Sequence, residues 1–476
     1  MQKTRLRRVG ALAVGLSLVM AACGSDDGGE AATTDAADTT AAPEAETTAA
    51  PDTTEAAADE STTSAEGEAA EGEGGVLTGM KGTTPLLELS EDFKTRLNDA
   101  WVASGEQPLT DYNYAAETYD AVTIIALAVA EAGDDGIAYA SHINGITREG
   151  EKCTTYTDCL AIIDAGGDVD YDGFSGPIEF AGNGEPLEAS YGVLQFGADD
   201  RIDDSLTVYK AASAPASADV PEVAVEGTRV GDGELKIGTI LPQTGSLAFL
   251  GPPEFAAFDL AIADINEAGG VLGKPVVGSK GDSGDATTDT ANQTVDRLLG
   301  EQVDAIIGAA SSGVSLTVID KITGAGVVQF SPANTSKRLS DYPDKGLYFR
   351  TAPSDILQGA ILGELIAEDG FTTVGIIARN DAYGTGLLED TKAALADAGV
   401  EVVAERVYDE KATTFDSEVE AIAAADPEAI LLITFEEGSK ILTAMVEQGI
   451  GPANKAVYGT DGNIGNALAE SFEAGE

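Results

Sequence analysis

Basic residues and histidine are scarce in this 476-residue sequence. Lysine and arginine total 27 against 82 aspartates and glutamates, for a formal net charge of -55, which argues against binding to nucleic acid or to an anionic membrane surface. The single histidine, His142, excludes a histidine-rich metal site and disfavours a Ser-His-Asp triad. The 56 glycines follow no Gly-X-Y period, which excludes a collagen-like chain. We therefore expect no metal, no other cofactor and no hydrolytic activity.

The first residues have the pattern of an export signal. Basic residues within positions 3–8 precede an apolar run at 9–20, and two alanines stand before Cys23. This run is too short to span a bilayer comfortably and is typical of a secretory signal peptide. The residues before the cysteine resemble a bacterial lipobox, which implies a signal peptide at 1–22 and a lipid on Cys23 that anchors the exported protein to the outer face of the cell membrane. The alternative is an ordinary cleaved signal followed by an unrelated cysteine.

Residues 23–74 contain almost only alanine, threonine, small polar, acidic and proline residues, with no basic or aromatic residue. Such a segment cannot bury enough apolar surface to offset its chain entropy, so we predict an acidic disordered tether. Its threonines cluster with prolines, which leaves glycosylation open. Cys153 and Cys159 remain, and a close pair in an exported protein usually oxidises. We predict a local disulfide; metal binding is the weaker alternative.

From residue 235 onward, short apolar strands alternate with amphipathic helices. This pattern predicts an α/β fold in which two doubly wound lobes each have a parallel sheet covered on both faces. The predicted strands and helices lie, in chain order, at 235–241, 254–267, 303–308, 316–323, 327–330, from 355, 374–378, 386–398, 401–407, 415–425, 429–435 and 439–448.

Parallel sheets bind ligands beyond the carboxyl ends of their strands. The first series of strands is followed there by hydroxyls and free backbone N–H groups, which can hold a carboxylate, and the second series by aromatic rings and an acid, which can hold an ammonium group. A zwitterionic ligand fits both. The alternatives are helix caps for the serines and threonine, core packing for the aromatic residues and a turn role for the aspartate. The candidates are Ala310, Ser311, Ser312, Asn334, Thr335, Tyr383, Phe435 and Asp461.

Five segments resemble a known family, the type I solute-binding proteins of ABC importers, and within it the leucine/isoleucine/valine-binding group. The resemblance extends from about residue 75 to 476. The segments are GTILPQTG at 238–245, DINEAGG at 264–270, IGAASS at 307–312, FSPANT at 330–335 and DAYGTG at 381–386.

The resemblance implies a two-lobed clamp that closes about a hinge on a small solute. By motif position, Ser312, the backbone at Ala310 and Thr335 would hold the ligand carboxylate, and Asn334 would add backbone contacts. Asp461 would accept a hydrogen bond from the ammonium group. Tyr383 and Phe435 would supply aromatic contacts, and Leu250 lies near a family position that touches the ligand side chain. Two departures, the missing hydroxyl at Phe435 and the shorter acid at Asp461, leave the ligand open.

The order of the segments departs from the family. Residues 75–211, with predicted helices at 89–103 and 115–132 and strands at 177–180 and 191–196, resemble the family's C-terminal third and would contribute to both lobes. We therefore predict a circular permutation in which 212–234 joins the old termini and 235–352 and 353–476 form the lobe cores. It implies a monomer in which Glu476 lies near Val76. The alternative is a tandem array that exchanges pieces between chains.

The predicted function is a non-catalytic receptor that captures a small amino acid-like solute and delivers it to an ABC permease. The sequence has neither a Gly-x-Gly-x-x-Gly helix start nor a phosphate-binding loop, which argues against an enzyme that uses a nucleotide. Two alternatives keep the same clamp. In the first, a receptor partner recognises the closed, ligand-bound form, so that the protein acts as a sensor. In the second, the ligand is an amide, urea or an aromatic acid.

Overall fold

The computed structural model describes residues 74–215 and 220–471. The predicted signal peptide, Cys23, nearly all of the tether and Glu476 lie outside these residues, so those expectations stay predictions. Within the described ranges, no helix is long and apolar enough to cross a membrane.

Fourteen strands within the described ranges form a sheet of seven, a sheet of five and a sheet of two. They are β1 Lys81–Pro85, β2 Glu151–Cys153, β3 Val169–Tyr171, β4 Glu188–Gln195, β5 Val208–Ser213, β6 Lys236–Ile240, β7 Val277–Ser279, β8 Ala305–Gly308, β9 Val328–Ser331, β10 Tyr348–Arg350, β11 Thr373–Arg379, β12 Glu401–Tyr408, β13 Ala429–Ile433 and β14 Ala456–Gly459.

Twelve α-helices in the same ranges cover these sheets. They are α1 Glu91–Ala103, α2 Ala115–Ala132, α3 Ile143–Ile146, α4 Tyr156–Asp164, α5 Gly251–Glu267, α6 Thr290–Gly300, α7 Ser312–Gly324, α8 Asp355–Glu368, α9 Ala382–Ala398, α10 Asp416–Ala425, α11 Gly438–Glu447 and α12 Asn466–Ser471.

The first lobe is built on the five-stranded sheet, in the order β10-β9-β8-β6-β7, and every adjacent pair is parallel. Its central strand β8 is buried at all four positions, as expected where helices cover both faces of a sheet. Helices α2 and α5 pack against each other over this sheet. Fifteen of the eighteen residues of α2 are buried, so α2 is a core helix of this lobe and not a surface helix.

The second lobe is built on the seven-stranded sheet, in the order β12-β11-β13-β14-β1-β4-β5. The first five strands in this order are parallel, whereas β4 and β5 are antiparallel to their neighbours. Strand β1 lies between β14 and β4, with Gly82 opposite Gly459. Residues 81–213 therefore supply three strands to this lobe, while α1 and α2 from the same stretch pack on α5 of the first lobe.

The two ends of the described chain lie close to one turn of the second lobe. The backbone N–H of Val76 donates to the Asp200 carboxylate at 2.9 Å. The N–H of Ile202 donates to the Asn466 side chain at 2.9 Å, and Arg201 pairs with Glu470 at 3.0 Å. The turn at 200–202 thus bridges both ends.

The end of the predicted linker is held on the first lobe. Strand β5 runs through Ser213, two residues into the predicted linker 212–234. The N–H groups of Asp232, Gly233 and Glu234 all donate to the carboxylate of Asp135, at 2.9 to 3.2 Å. Strand β6 begins two residues after Glu234, so the linker's final residues are fixed to the lobe that follows them in the chain.

Two helices begin four residues earlier than their apolar patterns predicted. Helix α7 begins at Ser312, where the Ser311 side chain caps it, and α9 begins at Ala382, where the Asp381 side chain accepts from the Gly384 N–H. Side-chain capping satisfies the first N–H groups and extends the helix beyond its apolar residues. Ser312 and Tyr383 therefore lie in first helical turns and not in loops.

The predicted strand at 177–180 is wrong. This stretch makes only an isolated bridge between Phe180 and Pro186, because Glu179 has a positive φ of 36°, which breaks the extended backbone.

The structure joins Cys153 to Cys159 with an S–S distance of 2.10 Å. That bond links the end of β2 to α4.

Two acids are buried where α2 meets α5. Glu254 is fully buried, and within the described part of the chain neither of its carboxyl oxygens has a hydrogen-bond partner. Burial raises the pKa of Glu254 well above its ordinary value, and the neighbouring Glu117 raises it further. Burial also raises the pKa of Glu117 to about 8. Both side chains are therefore best accommodated as neutral acids.

This burial predicts that stability falls with rising pH. The folded chain holds the Glu117 proton up to a pKa of about 8, whereas the unfolded chain releases it near pH ~4.3. Between those values ionisation favours unfolding by roughly 1.4 kcal/mol per pKa unit. The free energy of unfolding of Glu117→Gln, minus that of the wild type, should therefore rise by about 2 to 4 kcal/mol between pH 5 and pH 8. Urea unfolding of both proteins at the two pH values measures this difference.

Glu267→Gln is the matched control, because Glu267 is an exposed acid on α5. Its difference from the wild type should be the same at both pH values. If Glu117→Gln behaves like this control, the Glu117 carboxyl is already ionised in the folded chain.

Candidate functional site

A small cavity of about 10 Å³ lies between the two lobes, at the carboxyl ends of strands from both large sheets. Seven of the residues predicted from the sequence line it, together with four that were not predicted. Asn334 and Thr335 are not among the lining residues. Those that line it are Tyr114, Leu247, Leu250, Ala310, Ser311, Ser312, Ala333, Tyr383, Phe435, Asp461 and Gly462.

The first-lobe wall is the turn between β8 and α7. The Ser311 hydroxyl accepts from the Val314 N–H at 3.4 Å, and the Ser312 hydroxyl accepts from the Ser336 N–H at 3.3 Å. The first N–H groups of a helix have no partner within the helix and carry a partial positive charge. This wall therefore offers hydrogen-bond donors to an anionic group, and no lysine or arginine is among the described residues that line the cavity.

Asn334 and Thr335 lie behind this wall. Asn334 donates from its side chain to the Ala310 carbonyl at 2.8 Å and accepts from the Tyr348 hydroxyl at 3.0 Å, so its amide fixes the wall. Thr335 is buried, and its carbonyl accepts from the Asp355 N–H at 2.7 Å. Direct contacts of these two residues with a ligand stay a prediction.

Asp461 is the acid of the opposite wall, in the turn that follows β14. One carboxylate oxygen accepts from the Tyr114 hydroxyl at 2.7 Å and the other from the Tyr383 hydroxyl at 2.8 Å. Burial raises the pKa of Asp461, while these hydroxyl donors oppose the rise. Gly462 follows it because a Cβ there would lie 2.7 Å from the Thr434 carbonyl oxygen and 2.9 Å from the Phe435 ring.

Tyr114 is a site residue that the sequence analysis missed. It directly precedes α2 with a positive φ of 60°, an uncommon conformation for a residue other than glycine. This backbone bend accompanies the turn into α2, and the side chain reaches Asp461, 347 residues away in the chain. The only available signal was its position just before the predicted helix at 115–132, which does not reveal a partner so distant.

Asp355 is a second acid that was missed. It is fully buried at the start of α8, and within the described ranges neither carboxyl oxygen has a hydrogen-bond partner. Burial raises the pKa of Asp355 well above its ordinary value, and the charge of Asp461 raises it further. The two acids are therefore close enough to disfavour simultaneous ionisation.

Two stacked aromatic rings complete the second-lobe wall. The rings of Tyr383 and Phe435 are 5.3 Å apart with 22° between their planes. The Arg379 guanidinium lies over the Phe435 ring at 3.6 Å, within the distance of a cation–π contact. Arg379 is itself held by Asp381 at 2.6 Å and Glu437 at 2.5 Å. The wall is thus a rigid unit of rings and ion pairs.

The lobes touch each other around the cavity. The Ser336 hydroxyl of the first lobe donates to the Ala382 carbonyl of the second at 2.7 Å, and Lys337 pairs with Asp390 at 2.9 Å. On another side the Glu436 N–H donates to the Ser246 carbonyl at 3.2 Å. The two lobes are therefore in direct contact on two sides of the cavity. Its described residues contain no group of three or more acids, histidines or cysteines that could hold a metal ion.

Two family models match the chain. The model described as "Periplasmic binding protein" matches residues 234–471, which is half of the chain. The model described as "Receptor family ligand binding region" matches residues 51–199.

Similar proteins and solved structures align over about half of the chain. "Leu/Ile/Val-binding protein homolog 7" of Brucella abortus is 25% identical over 54% of this chain and 62% of its own length. Homolog 2 of the same organism is 28% identical over 52% of this chain and 65% of its own length. The aligned region is thus less than two thirds of these relatives.

The solved structures include the substrate-binding protein LivJ from Streptococcus pneumoniae in complex with isoleucine. It is 26% identical over 50% of this chain and 68% of that chain, with a TM-score of 0.46. The leucine-binding protein LivK from Thermotoga maritima is 21% identical over 50% of this chain and 67% of its own, with a TM-score of 0.45. On the match of the first family model, this chain belongs to the periplasmic binding protein family.

Proposed function

We propose that the protein captures a small α-amino acid, with a branched or other short apolar side chain, between its two lobes and delivers it to an ABC importer. One observation carries this proposal. The cavity between the lobes has helix N–H groups and hydroxyls on one wall and a buried carboxylate on the other. The family is one of binding proteins, and we propose no catalytic role.

The ligand carboxylate is assigned to the first-lobe wall. The α7 N-terminus and the Ser311 and Ser312 hydroxyls can supply donors without a basic side chain. An anion placed there gains from the helix dipole. A ligand that lacks a carboxylate would leave these N–H groups unpaired in the closed cavity, which is unfavourable.

The ligand ammonium group is assigned to Asp461. Each of its carboxylate oxygens already accepts one tyrosine hydroxyl, and a carboxylate oxygen can accept more than one hydrogen bond. The remaining acceptor capacity suits an ammonium group, and the tyrosines fix the orientation of the acid. Charge-assisted bonds of this kind are the strongest available in such a site.

The ligand side chain is assigned to the apolar part of the cavity. Leu247, Leu250, Ala333 and Phe435 line this part. A small apolar space favours a short aliphatic side chain, since its burial gains ~0.8 kcal/mol per methylene group. The names of the Brucella relatives, which are Leu/Ile/Val-binding protein homologs, support this ligand class.

The proposed mechanism is closure about a hinge. A ligand that bridges both walls stabilises the closed form by its differential affinity for that form. The closed form then docks on a membrane permease. Membership of the family implies an extracytoplasmic location, and we propose that a lipid on Cys23 keeps the protein at the outer face of the cell membrane.

We also propose that the chain is circularly permuted. The location of β1 between β14 and β4 supports this, because strands from opposite ends of the described chain complete one sheet. The contacts of the turn at 200–202 with Val76 by way of Asp200 and with Glu470 support it too, since a permutation joins or opens a chain where its ends are close.

Removing the acid tests the charge pairing. Asp461→Ala should weaken leucine binding by about 2 to 5 kcal/mol in titration calorimetry, because a buried ammonium group loses its partner. Asp416→Ala is the control, since Asp416 is an exposed acid of the same lobe, and it should bind leucine as the wild type does. Unchanged affinity in Asp461→Ala, or wild-type heat from urea or an aromatic acid but not from leucine, would contradict the assignment.

Affinity for the amino acid should fall as the pH falls. Burial raises the pKa of Asp461, so its carboxylate becomes protonated at a higher pH than an exposed aspartate, whose pKa is about 3.9. A neutral acid is a weaker acceptor for an ammonium group. Dissociation constants measured from pH 4 to pH 8 should show this loss in the wild type and not in Asp461→Asn; identical profiles would show that another group controls binding.

Moving the chain ends tests the permutation. A chain that begins at residue 220, continues from residue 471 through a short Gly/Ser linker into residue 74 and ends at residue 215 should fold as a monomer. Its leucine affinity should stay within about threefold of the original, because only exposed connections change. Sedimentation and calorimetry check both points; obligate dimers of the original and rearranged chains would instead support exchange of segments between chains.

A further inference from the structure

A second cavity, of about 100 Å³, adjoins the one between the lobes. Phe435 lines both cavities. The loop at 247–250 also contributes to both, since Leu247 and Leu250 face the inner cavity and Ala248 and Phe249 the outer one. The outer cavity is lined by Ala248, Phe249, Phe435, Glu436, Asn463, Ala467, Leu468 and Ser471.

Both faces of the Phe435 ring are covered. The Arg379 guanidinium occupies one face at 3.6 Å from the ring centre. The Tyr383 ring stacks at 5.3 Å and 22°, and it must lie on the other face because the guanidinium fills the first. A ring held between two planar groups cannot turn out of the wall without breaking both contacts.

The two covering groups are themselves fixed. Arg379 is paired with Asp381 and Glu437, and Glu437 also accepts from the Tyr408 hydroxyl at 2.6 Å. The Tyr383 hydroxyl donates to Asp461 at 2.8 Å. The ring position is therefore set by groups at the ends of four strands of the second lobe, β11, β12, β13 and β14.

We propose that Phe435 is a partition that limits the length of the ligand side chain, and that Arg379 is the positioning residue that keeps it closed. This inference rests on the proposed function and adds the substrate class to it. With the partition in place the inner cavity accepts short apolar side chains. Without it the inner and outer cavities join into one channel that admits a longer unbranched side chain. Apolar residues line this channel together with Glu436, Asn463 and Ser471.

The test compares Phe435→Ala with the wild type in calorimetric titrations with leucine and with 2-aminooctanoic acid. The ratio of the two affinities should shift at least tenfold towards 2-aminooctanoic acid, which corresponds to about 1.4 kcal/mol. Arg379→Met should shift the ratio in the same direction by a smaller factor. Phe330→Ala is the control, because Phe330 is a buried ring of the first-lobe core, and its ratio should not change.

Equal losses for both ligands in Phe435→Ala would overturn the proposal, since a purely structural defect weakens both alike. A second measurement does not depend on the amino acid site. Saturating 1-octanol, which carries no charge, should raise the melting temperature of Phe435→Ala but not that of the wild type or Phe330→Ala. If the wild type binds no amino acid and 1-octanol still stabilises only Phe435→Ala, the proposed function fails and the partition stands. If 1-octanol has no such effect, the partition fails.

Discussion

The structure around the cavity depends on one buried carboxylate, that of Asp461. Tyr114 comes from the turn before α2 and Tyr383 from the first turn of α9, and both donate to it. These bonds connect three segments that are far apart in the chain. A buried charge without donors would be strongly unfavourable, so folding of the site requires that all three segments are in place.

Much of the fold could be predicted from the sequence because the buried strands are short runs of β-branched and aliphatic residues. The predicted helix at 115–132 coincides with α2, and β8 and β13 lie within their predicted runs. The starts of α7 and α9 were predicted too late, because side-chain caps and not apolar periodicity set them. Positions at strand ends also indicated most of the cavity, since parallel sheets converge there.

The rest depended on tertiary contacts with no local signal. Tyr114, Asp355 and Glu254 carry no motif, and their importance comes from neighbours more than 100 residues away in the chain. The role of Arg379 likewise arises from two ion pairs and a ring. In each case the sequence alone predicts that a polar or charged residue lies at the surface. Only the structure shows that the residue is buried and which groups it contacts.

The location of β1 has a consequence for the order in which the second lobe can fold. During synthesis β1 is made early, whereas its parallel neighbour β14 is made much later. The sheet of the second lobe therefore cannot be completed until β14 has been synthesised. Contacts so distant in sequence form slowly, so the pairing of β1 with β14 is expected to be a late step in folding.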